Sequence, residues 1–297
     1  YTSSESNQEL VHKHYNGNIK TKTAYVNEVK HGDYQYFYFS GKKKVAGSYN
    51  NDAQTGLWVW YYENGEIESR ATYLNGKVHG KVINYNKNGI VDGDYSFEND
   101  LETGTSFVFY ETAIKASETP YYEGKRHGKK KVYDALGKLQ LIRFYNHGEI
   151  IGYSYLDKNG AELEMIPLNR ESGKVEAFFD NGKPSISMEY KFGDIVDEFI
   201  SYSYNGNIES EFPYLNGKYN GLVKEYFLNG KIKEETTYRH NEKHGKNTIY
   251  YQNGKKKEER VFLNNVEHGI SVFYDELGEI KTKKEYFNGK IYNVENL

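Results

Sequence analysis

A 24-residue period of glycine constrains the fold of this 297-residue chain more than any other feature of its sequence. Two series of glycines follow the period, separated by one shortened step of 21 residues, with Asp197 in place of glycine once. The members are Gly32, Gly56, Gly80, Gly104, Gly128 and Gly152, then Gly173, Asp197, Gly221, Gly245 and Gly269. Counting back from Gly32 places one more start at Gln8, so the sequence predicts about twelve units.

Each unit is typical of a β-hairpin when its residues are numbered from the repeat glycine as position 0. Position 5 is aromatic in ten units, position 9 is glycine in ten, and position 17 is aromatic in eleven. In the unit that starts at Gly56, residues 57–62 are rich in aromatic and β-branched side chains, which favour strands. Glu63-Asn64-Gly65 then predicts a tight turn, and a second strand runs from about Ile67 to Tyr73.

The type of turn decides which residues share a face of the predicted sheet. A two-residue loop pairs position 5 with position 12 and places the two aromatic columns on opposite faces. A three-residue loop with a bulge pairs position 5 with position 11, and we expect it to place both columns on one face. We favour the bulged loop. The predicted fold is all-β, an elongated single-layer antiparallel β-meander solenoid of about twelve 24-residue hairpins, ~115 Å long if straight.

The composition excludes several other classes of protein. Only 37% of the residues are apolar, which argues against an ordinary deep core, and a 16% aromatic content argues against disorder. The sequence has no apolar run of roughly 18 residues that would span a membrane, and a net charge of -3 gives no general reason to bind nucleic acid. The absence of cysteine excludes disulfides and thiolate chemistry, and it leaves the compartment open between export and the cytoplasm.

The period fails once, between Gly152 and Gly173. Asn169 replaces the aromatic residue there, and Pro167, which removes a backbone donor, falls in a predicted strand. We expect a bend or break that divides the chain into an N-terminal array over residues 1–152, an irregular repeat over 153–172 and a C-terminal array over 173–297. The chain begins at Tyr1 without a signal-like apolar stretch, as expected after removal of a leader or trimming of the chain.

Several segments of the chain resemble a known group of repeats. They are Tyr61–Ser69, Tyr73–Gly80, Lys243–Lys246 and Tyr251–Lys255. These resemble the MORN-repeat variant of bacterial YwqK-family antitoxins, and the resemblance covers nearly the whole chain. It implies that a partner toxin is neutralised by binding. MORN repeats in other proteins are linked with scaffolding, dimerisation and contact with acidic lipids, so the resemblance also implies these roles. The family has no catalytic residues to compare with this sequence.

Two groups of residues are candidates for contact with a partner. The first is aromatic and lies outside the two core columns, and Trp and Tyr are enriched in binding hot spots. Its members are Trp58, Trp60, Tyr62, Tyr36 and Tyr38. The second is the densest basic cluster, which would dock an acidic protein or a lipid headgroup: Lys125, Arg126, Lys129, Lys130 and Lys131. A second packed face explains the first group equally, and a solvated sheet edge explains the second.

The sequence offers little support for an enzyme, a cofactor or a metal. Five histidines precede the repeat glycine, but the 24-residue spacing places them ~10 Å apart, too far to share a metal ion. Phosphate-binding glycine loops and Gly-x-Ser-x-Gly elbows are absent. We therefore expect a non-enzymatic protein that binds a protein partner, a toxin on the strength of the resemblance. The alternative is a structural or envelope-associated scaffold that contacts acidic lipid headgroups, and neither version involves nucleic acid.

Overall fold

The computed structural model describes residues 6–297, so the start of the chain at Tyr1 lies outside the described residues. Within that range the regular structure is all β-strand, arranged in two antiparallel sheets. The first sheet contains β1 (Asn7–Lys13), β2 (Ile19–Val26), β3 (Val29–Phe37), β4 (Lys43–Asn50), β5 (Ala53–Tyr61), β6 (Ile67–Leu74), β7 (Lys77–Tyr85), β8 (Val91–Glu98), β9 (Leu101–Glu102), β10 (Gly104–Phe109), β11 (Lys115–Tyr122), β12 (Lys125–Arg126), β13 (Gly128–Tyr133), β14 (Leu139–Asn146), β15 (Glu149–Ser154) and β16 (Ile166–Pro167). The second contains β17 (Gly173–Phe178), β18 (Pro184–Lys191), β19 (Asp194–Tyr202), β20 (Ile208–Leu215), β21 (Lys218–Tyr219), β22 (Gly221–Tyr226), β23 (Ile232–Arg239), β24 (Glu242–Tyr250), β25 (Lys256–Leu263), β26 (Val266–Glu267), β27 (Gly269–Tyr274), β28 (Ile280–Phe287) and β29 (Lys290–Asn296).

Packing divides the chain into two compact units. One comprises the described residues up to Gly137 together with Tyr145–Gly148, and the other comprises Lys138–Phe144 together with Glu149–Leu297. The first sheet ends at Pro167, in the two-residue strand β16, and the second begins at Gly173. The predicted array boundaries at residues 152 and 173 stay a prediction.

The loop inside each hairpin has the three-residue form. In the unit that starts at Gly56, the Tyr62 amide donates to the Glu66 carbonyl over 2.8 Å, and the Gly65 amide donates to the Tyr62 carbonyl over 2.9 Å. Gly65 has a φ of 101°, which side chains rarely tolerate. Tyr61 pairs with Ile67 beyond the loop. This pairing confirms the bulged loop and the predicted match of position 5 with position 11.

The two aromatic columns nevertheless lie on opposite faces, so the expectation that they share one face is wrong. Trp60, at position 4, pairs with Ser69, while the adjacent Tyr61 pairs with Ile67, and the extra residue in β6 is Glu68. An extra residue in one strand reverses the alternation of side chains beyond it. Gly56 consequently pairs with Tyr73. Positions 0, 2, 4 and 17 therefore lie on one face of the sheet, which we call the position-17 face. Position 5 lies on the opposite face, which we call the position-5 face.

A second kind of turn joins each hairpin to the next. Asn51 and Asp52 have φ values of 50° and 65°, the pattern of a two-residue type I′ turn, whose twist matches that of antiparallel strands. The same pattern of two positive φ values recurs at Asn27 and Glu28, Asn75 and Gly76, Asn99 and Asp100, Glu123 and Gly124, His147 and Gly148, Arg170 and Glu171, Phe192 and Gly193, Asn216 and Gly217, His240 and Asn241, Asn264 and Asn265, and Asn288 and Gly289. Asparagine and glycine dominate because they adopt this conformation at low cost.

The repeat glycine itself occupies a second bulge. Gly80 has a φ of 106°, and the pairing of β6 with β7 shifts between Ala71 and Tyr73, opposite His79, Gly80 and Lys81. Four hairpins lose regular pairing at this bulge, which splits one strand into two. The split strands are β9 and β10, β12 and β13, β21 and β22, and β26 and β27. With β29 as an additional strand after the last hairpin, the described residues form 29 strand segments, where the sequence predicts roughly 24 strands.

The second unit contains a local core that the composition did not predict. Leu141, Val175 and Ile186 are at most 1% exposed. Hydrogen bonds connect β14 with β18 and β19. The Ser185 hydroxyl donates to the Gln140 carbonyl over 2.6 Å, and Gln140 Nε2 donates to the Tyr202 carbonyl over 2.7 Å. The low apolar content of the whole chain is compatible with this core because its aliphatic residues are concentrated in β14, β17 and β18.

Candidate functional site

A groove of about 590 Å³ lies in the first unit, along strands β5 to β8. This volume is within the usual range of ligand pockets. Its lining combines aromatic and aliphatic side chains with two carboxylates: Trp60, Tyr62, Tyr73, Val78, Val82, Phe97, Glu68 and Asp92. The groove therefore brings together two of the predicted contact residues, Trp60 and Tyr62.

Trp58 lies beneath this surface rather than on it. Its side chain is 2% exposed, so the expectation of an exposed contact residue is wrong for this position. The indole stacks on Tyr34 with a centroid separation of 5.5 Å, meets Tyr49 edge-on at 5.2 Å and donates from Nε1 to the Ser48 carbonyl over 3.2 Å. Trp58 is thus fixed by packing and a hydrogen bond, and the half-buried Trp60, which lines the groove, packs beside it at 6.2 Å.

Tyr62 and Tyr38 are half-buried and have a structural role. The Tyr62 hydroxyl donates to the Tyr85 carbonyl over 2.8 Å, and the Tyr38 hydroxyl donates to the Tyr61 carbonyl over 2.7 Å. Each bond joins position 6 of one hairpin to position 5 of the next, and Tyr110 and Tyr251 repeat it. These bonds support the alternative explanation of a second packed face, while the Tyr62 ring still lines the groove.

The carboxylates of Glu68 and Asp92 give the groove a negative rim. Both residues are half-buried at position 12 of successive hairpins. Burial raises the pKa of the Tyr62 hydroxyl above its ordinary value, and the Glu68 and Asp92 carboxylates raise that pKa further. Among residues 6–297, neither carboxylate forms an ion pair or a hydrogen bond with another side chain. The groove is therefore an aromatic surface with uncompensated negative charge.

Sequence reasoning missed Glu68 and Asp92. Position 12 looked like an ordinary solvated position, because only the bulged pairing places it beside the aromatic residues at positions 4 and 6. One signal was available in the sequence, since position 12 changes from Lys44 to Glu68 and then to Asp92 in three successive units.

The remaining predicted aromatic residues, Tyr36 and Tyr38, occupy positions 4 and 6 of the preceding hairpin. The Lys44 ammonium lies over both rings, 5.7 Å from the Tyr36 centroid and 5.2 Å from the Tyr38 centroid. Such distances are typical of a cation–π interaction. The chain therefore covers this aromatic pair with its own cation.

The basic cluster is divided between the two faces. Lys131 pairs with Glu118 across the ladder and its ammonium lies 3.1 Å from the Glu118 carboxylate, on the position-5 face. Strand alternation places Lys129 on that face and Lys130 on the other. Arg126 contacts the Tyr145 ring at 5.3 Å, while Lys125 is exposed. The five residues therefore do not form one continuous basic patch.

The position-5 face carries a ladder of tyrosine–glutamate hydrogen bonds. The Tyr226 hydroxyl donates to Glu211 over 3.0 Å and the Tyr250 hydroxyl donates to Glu235 over 2.8 Å. Tyr274 donates to Glu259 in the same way. Each bond joins position 5 of one hairpin to position 14 of the preceding one. These carboxylates are occupied by the fold, in contrast to Glu68 and Asp92.

Residues 6–297 contain neither a cluster of metal-binding side chains nor a membrane-spanning helix. No group of three or more histidine or acidic side chains is arranged to hold a metal ion in that range. The described residues also contain no helix that is long and apolar enough to cross a membrane.

Comparison with known proteins identifies the repeat type. The model of the MORN repeat variant matches residues 30–51, 54–75, 126–147, 219–240 and 243–264. The MORN-repeat part of the resemblance is confirmed for these five segments. No curated protein matches the chain. A solved chain of a mutant Tc holotoxin pore from Photorhabdus luminescens aligns with 97% of this chain at 11% identity, with a TM-score of 0.20, and this chain spans 18% of its length.

Proposed function

We propose that this chain is a non-enzymatic repeat protein that binds a partner protein through the groove formed by Trp60, Tyr62, Glu68 and Asp92. The observation that supports this function is a rigid aromatic surface whose two carboxylates have no partner side chain among residues 6–297. Rigid aromatic residues contribute strongly to protein interfaces because they lose little conformational entropy on binding.

The proposed architecture is a β-solenoid of about twelve hairpins that presents this groove. Two-residue turns with positive φ recur at nearly regular intervals from Asn27 to Gly289, and one such turn closes each predicted unit. In a solenoid each repeat contacts mainly its neighbours, and successive repeats build an extended surface. A partner would accordingly contact several adjacent hairpins, as the groove already spans strands β5 to β8.

The specific form of the proposal is an antitoxin or immunity protein. It is supported by the resemblance of the repeats to those of YwqK-family antitoxins, together with the matches to the MORN repeat variant. A toxin neutralised by binding requires no chemistry from this chain, only a complementary surface. The groove would then cover a functional segment of the toxin.

The second candidate is a scaffold that contacts acidic lipids through the basic cluster. The exposure of Lys125 and Lys129 favours it. Its weakness is the ion pair of Lys131 with Glu118 and the separation of Lys130 onto the other face, because lipid binding benefits from adjacent charges on one surface. Liposome binding that falls with salt, and that is lost when Lys129 and Lys131 are replaced by Glu, would identify this function.

Affinity capture with matched variants tests the proposed function. Tagged wild-type chain and the Trp60→Ala variant are used to recover partners from the native organism, and the recovered proteins are identified by mass spectrometry. We expect one stoichiometric protein with the wild type, reduced at least about tenfold with Trp60→Ala, as for an interface hot spot. If the recovered partner is a toxin, its activity should fall when the chain is added.

Two results would overturn the proposed function. A stoichiometric partner retained by both Trp60→Ala and Glu68→Lys would place the binding surface outside the groove. Recovery of lipid vesicles alone, dependent on Lys129 and Lys131, would replace the proposal with the scaffold.

A further inference from the structure

We infer that the groove receives a lysine or arginine side chain of the partner protein, held against the Trp60 and Tyr62 rings by the Glu68 and Asp92 carboxylates. This inference rests on the proposed function and adds the chemistry that the partner presents. It follows from a comparison of neighbouring hairpins of this chain.

Lys44 is an example within this chain of a cation held on such an aromatic pair. In the hairpin that starts at Gly32, positions 4 and 6 are Tyr36 and Tyr38, and the ammonium from position 12 lies over both rings. A second example occurs at the corresponding positions of the hairpin that starts at Gly245, where the Lys257 ammonium lies 5.9 Å from the Tyr251 centroid. The geometry of the bulged hairpin thus brings a cation from position 12 onto the aromatic residues of the position-17 face.

The charge at position 12 is reversed in the next hairpin. Its aromatic pair is Trp60 and Tyr62, and position 12 is Glu68. Among residues 6–297, no lysine or arginine lies over either ring at a cation–π distance. Trp offers the best aromatic face for a cation. This aromatic pair therefore lacks the cation that its neighbour has, although its negative surroundings are more favourable to one.

Two basic side chains of the neighbouring strand segments, Arg70 in β6 and Lys81 in β7, contact residues other than Glu68 and Asp92. The Arg70 guanidinium lies 5.2 Å from the centroid of the Tyr85 ring. The Lys81 ammonium forms an ion pair of 2.7 Å with Asp94. Neither residue lines the groove. Among residues 6–297, no basic side chain pairs with Glu68 or Asp92, so both carboxylates are left to receive a cation from a binding partner.

The shape and lining of the groove favour a cation carried by a side chain over a free ammonium ion. The groove is open to solvent and continues across four strands with the apolar side chains of Val78, Val82 and Phe97. A free ammonium ion would leave these apolar contacts unused. A lysine or arginine side chain carries an aliphatic stem that packs on such a surface while its charged end reaches the carboxylates. This fit favours a protein-borne cation over a small free amine.

A titration monitored at the two indoles tests the inference. The chain has only two tryptophans, so Trp58 and Trp60 give two indole N–H signals that are assigned by single substitution. The probe is a capped pentapeptide of sequence Gly-Arg-Gly-Arg-Gly, and the comparisons are Gly-Glu-Gly-Glu-Gly and ethylammonium. We expect a saturable shift of the Trp60 signal with the arginine peptide, at least about threefold weaker binding of ethylammonium, and no shift with the glutamate peptide.

A matched pair of variants separates the groove from general charge. Glu68→Lys places a lysine where Lys44 stands in the preceding hairpin, so the fold accommodates it and the new ammonium should occupy the groove. Glu66→Lys changes the net charge equally, at position 10, where Lys183, Lys231 and Lys255 occur naturally. We expect Glu68→Lys to weaken the arginine peptide on the order of tenfold and Glu66→Lys to weaken it less than about twofold.

A double variant removes both negative charges while it keeps the shape of the groove. Together with the other variants, it distinguishes failure of the cation inference from failure of the proposed partner-binding function. Glu68→Gln combined with Asp92→Asn should also weaken the arginine peptide on the order of tenfold. Unchanged peptide binding in this double variant, or equal losses in Glu68→Lys and Glu66→Lys, would overturn the inference. If capture of the native partner then still depended on Trp60, the proposed function would stand without the cation. If capture did not depend on Trp60, the proposed function itself would fail.

Discussion

At the scale of single residues, the burial of Trp58 beside the groove depends on one close approach between backbone and indole. A Cβ atom on Gly47 would lie 2.2 Å from Cδ2 of Trp58, a distance that no real contact reaches. The backbone of Gly47 lies outside the positive-φ region, so the requirement for glycine is steric rather than conformational. Trp58 can lie flat against the sheet only because this position has no side chain.

We therefore expect Gly47→Ala to destabilise the first unit by about 1–3 kcal/mol, the usual cost of overpacking a filled site. Urea unfolding of the full chain measures the change. In a Trp58→Ala background the same substitution should be neutral or slightly stabilising, because alanine restricts the unfolded chain more than glycine does. An equal loss in both backgrounds would show that the indole is not the cause.

The candidate site was partly predictable at this scale. Trp60 and Tyr62 were predicted from their aromatic character outside the core columns, and both line the groove. Trp58 met the same criterion but is buried, because its position 2 faces Gly47 across the ladder. Glu68 was not predicted, since its proximity to the aromatic pair depends on the bulge that makes it the extra residue of its strand.

At the scale of the hairpin, the tyrosine–glutamate ladder links successive repeats in a way that depends on pH. Burial, and then the hydrogen bond to Glu235, raise the pKa of Tyr250 to about 12 from its ordinary value of 10.0. The folded chain therefore holds this proton more tightly than the unfolded chain does. The resulting contribution to the free energy of unfolding is complete below pH 10 and is lost as the pH rises through 12.

The corresponding prediction concerns the difference in stability between wild type and Tyr250→Phe. We expect this difference to be largest near pH 8 and to shrink measurably by pH 11, because Tyr250 of the unfolded chain ionises above pH 10 while the folded chain keeps the proton until about pH 12. Denaturant unfolding at the two pH values provides the measurement. Tyr15→Phe is the control. The Tyr15 side chain is 95% exposed, so loss of its hydroxyl should change the stability little at either pH. A difference that is independent of pH would contradict the assigned hydrogen bond.

The hairpin is also the scale at which sequence reasoning was most successful. The glycine at position 9 and the asparagine before it specify the three-residue loop, and that loop determines the pairing of Tyr61 with Ile67. The faces were predicted incorrectly because counting by twos ignores the extra residue that the bulge inserts. Local turn chemistry is thus readable from the sequence, whereas the parity beyond a bulge depends on which residue is left unpaired.

At the scale of the whole chain, the place where the repeat fails coincides with its best-packed interior. Leu141, Val175 and Ile186 come from three strands on either side of the irregular segment, and all belong to the second unit. A hydrogen bond between their strands joins residues 45 positions apart, Gln140 and Ser185. A period of 24 residues predicts only contacts between neighbouring repeats, so this core was not predictable from the repeat pattern.

This arrangement predicts how damage to the second unit spreads. Leu141→Ala should cost about 2–5 kcal/mol, as expected for a truncated core leucine. In a repeat array such a loss stays close to its origin, because each repeat is stabilised by its neighbours. Hydrogen exchange of the full chain should therefore show reduced protection in β14 and β17 to β19, with β25 to β28 unchanged. Ile270→Ala, at a side chain that is 56% exposed, is the control and should leave protection near that of the wild type. Uniform loss of protection across the second unit would mean that it unfolds as one cooperative block, and the nearest-neighbour description would then apply only within the first unit.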